Sequence, residues 1–337
     1  MSKYFRPIIN FENIYPTDAI FLGSTRLWFN SVKVFERGKD SIIINAKDIP
    51  NKVKLNLVEK REAICGIQKR SPLVVGVLNR TPDSFSDGAT STKKNDLIIQ
   101  LDEMINEGAD IIDIGGESTR PNFETILPNV EINRIELALK LIRDSYPKLP
   151  ISIDTRKSSV AEYALDRGAK ILNDVSSLTF DNECINIVKR HESYICLMHN
   201  SGDGKNLHNK VLGKDFLLDI FDYLKERIQF AELNGISKSK IIIDPGIGFG
   251  KTEEQNLGII ANISLFHTLG CPILVGASRK KFIGDITEVD IPANRMLGSI
   301  IIAGELAKQG VQLIRVHDVK ETNQIINILN RLNSCFK

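Results

Sequence analysis

The strongest constraint in this chain is a rhythm. From Leu73 onward, short apolar runs rich in β-branched residues alternate with longer stretches of helical period, and the alternation repeats eight times. The runs at 73–78, 110–114, 150–153, 169–172, 194–198, 240–243, 272–276 and 312–314 read as strands buried on both faces. The segments 95–107, 129–145, 158–167, 182–190, 215–234, 254–266, 293–309 and 321–332 carry apolar residues at helical spacing. Eight parallel strands with eight helical crossovers close most naturally into a TIM (β/α)8 barrel, typically of ~250 residues. An open doubly wound sheet is the alternative. It normally carries a Gly-rich dinucleotide turn after its first strand, and here that turn reads TPDSFSDG (81–88). The run Gly246 to Lys251 resembles a phosphate loop only superficially, because the Walker spacing is missing.

Residues 1–71 break the rhythm. Short strand-like runs lie at 20–22, 27–29, 32–34 and 41–44, followed by a more helical pattern from Val53 to Cys65 with Val53, Leu57 and Ile64 on one face. The expectation is a small strand-rich N-terminal extension packed on a barrel domain of residues 72–337, with Trp28 as a packing anchor. The extension contains no cluster that suggests chemistry of its own.

A formal net charge of +2, with no Lys/Arg block, argues against a polyanionic partner such as nucleic acid. Five scattered cysteines without a CxxC fit a reducing cytoplasm, with Cys196 and Cys271 as buried small hydrophobes. The start MSKYFRPIIN has no signal-type apolar run, and no uncharged run approaches ~18 residues, so no membrane segment is expected.

The strand ends carry the functional signal. Asn79, Asp113, Asp154, Asn173, Asp244, Ser278 to Lys280, and Arg315 with His317 close seven of the eight strands. Singly, an Asp or Asn there is a turn former or a helix cap. Together at the C-terminal mouth of a barrel they must pair or hold a ligand, since burying so many polar groups otherwise costs several kcal/mol. Asp154, Asn173 and Asp244 offer carboxylate and amide edges to a flat heterocycle with ring N–H and amino groups. Lys280 can donate to a ring carbonyl or nitrogen, and Arg315 can stack on a π face. Thr119, Arg120 and His317 can make a separate anion pocket near Asn79, suited to a phosphate or pyrophosphate with a divalent cation. Neither a zinc set nor a hydrolytic triad can be assembled from the spacing.

Seven segments, 78–88, 110–121, 151–157, 171–177, 244–251, 276–284 and 315–319, together resemble the dihydropteroate synthases in sequence, order and spacing. The resemblance covers roughly 72–335. It implies a barrel that joins 6-hydroxymethyl-7,8-dihydropterin pyrophosphate to p-aminobenzoate and releases pyrophosphate, with Mg²⁺ assisting and a homodimer as the usual state. It places Asp154, Asn173, Met198, Asp244, Lys280 and Arg315 on the pterin. Asn79, Thr119, Arg120, Arg315 and His317 fall on the pyrophosphate, with Asn79 also toward Mg²⁺. Phe85, Pro121 and Ser278 frame p-aminobenzoate, and the catalytic group is Asn79, Arg120, His317 and Lys280.

Three departures from the family pattern stand out: Arg80 beside Asn79, Asn200-Ser201 after the fifth strand, and Asn122 in the second connection. A corrinoid-linked methyltetrahydrofolate methyltransferase shares a pterin-binding barrel but needs no pyrophosphate pocket. Thr119-Arg120 and Arg315-Val-His317 therefore speak against it. A silent pterin-binding paralogue is the third reading, motivated only by the extension and Arg80.

Overall fold

The computed structural model describes residues 2–334 apart from 24, 70, 81–89, 120–122, 203–206 and 208–211, and not the side chains of 90–93. Phe85, Arg120, Pro121 and Asn122 therefore lie outside the described residues.

Eight parallel strands form the barrel: β6 (Leu73–Asn79), β7 (Ile111–Gly115), β8 (Ile151–Asp154), β9 (Ile171–Asp174), β10 (Tyr194–Met198), β11 (Ile241–Asp244), β12 (Leu274–Val275) and β13 (Leu313–Val316). β6 to β11 pair in chain order, β13 pairs with both β6 and β12, and a parallel bridge between Ile243 and Ile273 completes the ring. The crossovers are α2 (Thr90–Asn106), α3 (Pro128–Ser145), α4 (Ser158–Asp166), α5 (Cys184–Arg190), α6 (Phe216–Leu233), α7 (Glu253–Ala261), α8 (Lys281–Thr287) with α9 (Met296–Lys308), and α10 (Val319–Leu332).

Strand pleating sorts each strand into two faces. Val74, Leu78, Ile112, Ile114, Ile153, Leu172, Ile195, Ile243 and Ile314 face outward and merge with the helices into the main core. The alternate residues Leu73, Val75, Ile111, Ile171, Tyr194, Cys196, Ile242, Leu274 and Leu313 fill the barrel interior, which is why these strands read as continuous apolar runs.

The N-terminal layer precedes the barrel. β1 (Lys3–Pro7), β4 (Ser31–Glu36) and β5 (Ile42–Asn45) form an antiparallel sheet, and β2 (Ile20–Phe21) pairs with β3 (Trp28–Phe29). Leu22, Leu27, Phe29, Val32, Ile49 and Leu57 give it a core of its own. It docks on α6, where Tyr4 donates to Asp222 at 2.7 Å and Arg37 reaches Asp219 and Asp222 at 2.7 and 3.0 Å. Trp28 is buried and donates from its indole to the Glu12 carbonyl.

Three local expectations change. The helix over 53–65 is only α1 (Asn51–Val58), because Arg61 turns back to donate to the carbonyls of Asn56, His267 and Gly270. Ile64 instead joins the interior layer as the floor of the barrel. The helix over 254–266 splits into α7 and a fully buried 3-10 helix, Ile263–Leu269, against which β1 and α1 pack. Seven-residue α8, too short to show a period, was not foreseen. Phe282 and Ile283 bury it.

Candidate active site

The parity that sends Leu73 and Val75 into the interior continues upward to Asn79, and likewise from Ile111 to Asp113, Ile171 to Asn173, Cys196 to Met198, Ile242 to Asp244 and Leu313 to Arg315. The pleat thus exchanges apolar for polar side chains at the C-terminal ends of the strands. Strand register fixes their heights, with Asp154 beside Asn173 and Met198 beside Asp244.

Arg315 organises the centre. Its Nε donates to Asp113 Oδ2 at 2.6 Å and its Nη2 to Asp154 Oδ2 at 2.9 Å, while Asn173 Nδ2 reaches Asp113 Oδ2 at 3.3 Å. With its edge engaged by two carboxylates, the guanidinium is held in a fixed plane. Among the described residues Asp154 Oδ1 is buried without a partner, an acceptor open to a ligand donor or water. Burial pushes Asp154 up to about 7 against the pull of Arg315, and Asp244 up to about 6. Asp244 Oδ1 also accepts from the Gly246 N–H at 2.7 Å.

The connection after β11 explains the false phosphate loop. A phosphate cradle presents N–H groups, whereas here the carbonyls face two half-buried ammonium groups. Lys280 Nζ donates to Ile247 O at 2.6 Å and lies 4.1 Å from the centre of the Phe249 ring. Lys251 Nζ contacts Gly246 O at 2.7 Å, Phe249 O at 3.1 Å and His199 Nδ1 at 3.0 Å. Burial lowers Lys280 to about 8 and Lys251 to about 7, and it keeps the His199 ring neutral with a value of about 2. Gly246 is obligatory, since at φ +71° a Cβ would lie 1.8 Å from His199 O. Met198, Val175, Leu207 and Phe249 supply an apolar patch beside these charges.

On the other side of the mouth stand Asn79, exposed at the end of β6, Thr119 beyond β7, and His317 beyond β13. The Ser278 hydroxyl accepts from the His317 backbone N–H at 3.2 Å and lies 3.0 Å from His317 Nδ1. When the hydroxyl donates to Nδ1, the neutral imidazole carries its proton on Nε2. Among the described residues no group of three His, Cys, Asp or Glu could hold a metal. Asn79 offers a single hard oxygen, a donor set that fits Mg²⁺ completed by phosphate oxygens and water, rather than a resident transition metal.

The mouth therefore brings together Asn79, Asp154, Asn173, Met198, Asp244, Lys280, Arg315 and His317. Ser278 stands on His317. Two of the departures are accounted for locally: Arg80 is buried, with its backbone N–H on Gly115 O at 2.7 Å, and Asn200 donates to Val175 O at 2.9 Å, tying two rim connections together. In the sequence Asp113 is one polar strand end among several, and Lys251 has no role of its own. Nothing in the sequence shows that one pairs with Arg315 and the other is caged by carbonyls.

The family profile described as pterin binding enzyme matches residues 75–317. The dihydropteroate synthase of Escherichia coli is 38% identical over 258 residues, 77% of this chain and 90% of that one. Among solved structures, Xanthomonas albilineans dihydropteroate synthase with 4-aminobenzoic acid aligns with a TM-score of 0.72 at 36% identity, covering 78% of this chain and 94% of that one. Burkholderia cenocepacia dihydropteroate synthase complexed with 7,8-dihydropteroate aligns with a TM-score of 0.71 at 30% identity, covering 80% and 94%.

Proposed function

The chain belongs to the pterin-binding enzymes and, within them, to the dihydropteroate synthases, and from that membership we infer how its own residues divide the reaction. The enzyme is a transferase of folate biosynthesis. It condenses 6-hydroxymethyl-7,8-dihydropterin pyrophosphate with p-aminobenzoate to give 7,8-dihydropteroate and pyrophosphate.

The observation that carries the assignment of residues is the Arg315 clamp on Asp113 and Asp154, which leaves Asp154 Oδ1 open next to Asn173 in the register. Asp154 and Asp244 accept the amino and ring N–H groups of the pterin, Asn173 and Lys280 meet its remaining edge, and Met198 and the Arg315 plane cover its faces. The C–O bond to pyrophosphate breaks and leaves positive charge on the pterin methylene, which the two carboxylates favour. His317 and Arg120 receive the departing oxyanion, with Thr119 beside them. Mg²⁺, held by Asn79 together with phosphate oxygens, would supply further charge neutralisation. The arylamine nitrogen of p-aminobenzoate, framed by Phe85, Pro121 and Ser278, forms the new C–N bond and loses a proton. Water must stay out, because it would trap the same cation.

A second copy of the chain belongs to this reading. Leu297 and Ile301 on α9, with Ile328 and Leu332 on the adjacent α10, leave large apolar side chains exposed on two packed helices. A cytoplasmic location is proposed on the free thiols Cys65, Cys184, Cys196 and Cys271. Among the described residues no helix is long and apolar enough to cross a membrane. Detection of 7,8-dihydropteroate from the two substrates is the direct test. A protein that binds the pterin and forms no product would be the silent paralogue instead.

A further inference from the structure

Behind the end of β7, four ionisable side chains are buried together. Glu117, Glu131, Arg156 and Lys157 are 5%, 1%, 8% and 6% exposed. Lys157 Nζ bridges Glu117 Oε1 at 2.7 Å and Glu131 Oε2 at 2.6 Å, and Arg156 Nε reaches Glu117 Oε2 at 3.3 Å. Two further bonds tie the cluster to the far end of the same connection. Glu117 Oε1 accepts from the Ile126 N–H at 2.9 Å, and Arg156 Nη2 donates to Thr125 Oγ1 at 2.9 Å. Both roots of the connection that carries Thr119, Arg120 and Pro121 are thus fastened to this cluster: Arg156 reaches both, and Lys157 holds the Glu117 root. Those cations follow Asp154-Thr155 directly in the chain, so the fastening starts from the pterin carboxylate's own strand. The root is also packed tightly: Arg134 donates to Gly116 O at 2.9 Å, and a Cβ on Gly116 would lie 3.0 Å from the Glu131 carbonyl.

A buried ion cluster is weak evidence for stability, since an apolar cluster of the same volume is often at least as stable. What it provides is fixed direction at both ends of one connection. We propose that Glu117, Arg156 and Lys157 are positioning residues for dihydropteroate synthesis: they hold the second connection so that its residues meet the pyrophosphate and p-aminobenzoate while the pterin site stays independent of them. This rests on the synthase reading and adds to it a division of labour that the mouth alone does not reveal.

The test uses the charge-balanced double variant Glu117→Leu/Lys157→Met and the near-isosteric Glu117→Gln. Three quantities are read: the thermal midpoint, the dissociation constant of 6-hydroxymethylpterin (which lacks the pyrophosphate), and kcat with KM for p-aminobenzoate. The double variant is expected to bind the pterin within about twofold of wild type while kcat/KM for p-aminobenzoate falls by about 100-fold. Glu117→Gln, whose one amide oxygen can still accept from Ile126 and Lys157 while Arg156 loses its acceptor, should recover part of this and lose only about tenfold. Unchanged p-aminobenzoate parameters in a variant that melts like wild type would overturn the proposal. So would a loss of pterin affinity as large as the loss of kcat/KM, which would mark the cluster as a general support. If the double variant melts early, Glu117→Gln decides alone, and wild-type kinetics in it overturn the proposal. Absence of turnover in the wild-type protein is a different result, because it removes the synthase reading itself.

Discussion

Arg315 Nε donates to Asp113 Oδ2 at 2.6 Å, joining the last strand of the barrel to the second across 202 positions of sequence. Asp113 is almost wholly buried below the mouth. It acts on a ligand through the two side chains it orients, Arg315 and Asn173.

Asp113→Asn should therefore weaken pterin binding without removing any group in reach of the pterin. The amide can turn an N–H toward the guanidinium, which leaves a buried donor unpaired at a cost of about 1–3 kcal/mol. Calorimetric titration with 6-hydroxymethylpterin measures it. Wild-type affinity in the variant would mean that Asp154 alone orients Arg315.

The buried carboxylates make pterin binding depend on pH. Affinity should climb as the pH rises through about 6 and about 7, when Asp244 and Asp154 become charged acceptors, and decline above about 8 as Lys280 loses its proton. The stability of the ligand-free protein should move the other way. Carboxyl groups raised by folding hold protons that the unfolded chain has released, so their contribution is full below the unfolded value and is lost as the pH rises through the folded ones. Calorimetry and thermal melts across this range check both slopes, and parallel slopes would exclude these two groups as the cause.

Lys251→Met keeps the length of the side chain and removes its ammonium from Gly246 O, Phe249 O and His199 Nδ1. The turn that positions Ile247 O for Lys280 then loses its internal clamp. KM for the pterin substrate should rise by about tenfold, with KM for p-aminobenzoate changing less. Steady-state kinetics with each substrate varied in turn separate the two.

The N-terminal layer should matter through its buried contact more than its charges. Tyr4 belongs to the main core and sits edge-on to Phe221, with ring centroids 5.3 Å apart. Tyr4→Ala is expected to cost about 3–5 kcal/mol, as for other buried aromatics. Arg37→Ala removes ion pairs whose side chains are some 40% exposed, and solvent screening should hold its cost below about 1 kcal/mol. Denaturant melts rank the two, and the reverse order would show that the layer is held by its salt bridges.

Much of this architecture was legible because a barrel strand is short, apolar and stops on a polar residue. The eight runs from Leu73 onward and their polar ends announced both the barrel and its mouth. Legibility failed where a side chain's partner is remote in sequence. Ile64 looked like the third member of a helical face and is the barrel floor, because the contacts of Arg61 with His267 and Gly270 end α1 early. Lys157 closes one of the seven family segments with no role legible in the sequence, and its two carboxylate partners lie 40 and 26 positions away. Pairings of this kind follow from the closed topology and leave no local pattern.

The most direct test of the central claim is pyrophosphate release from 6-hydroxymethyl-7,8-dihydropterin pyrophosphate, followed with and without p-aminobenzoate and alongside 7,8-dihydropteroate formation. The structure predicts that sustained release requires p-aminobenzoate and matches dihydropteroate formation mole for mole, since the methylene cation is reserved for the arylamine. Pyrophosphate release that proceeds equally well without p-aminobenzoate, or none at all with both substrates bound, would contradict the synthase assignment.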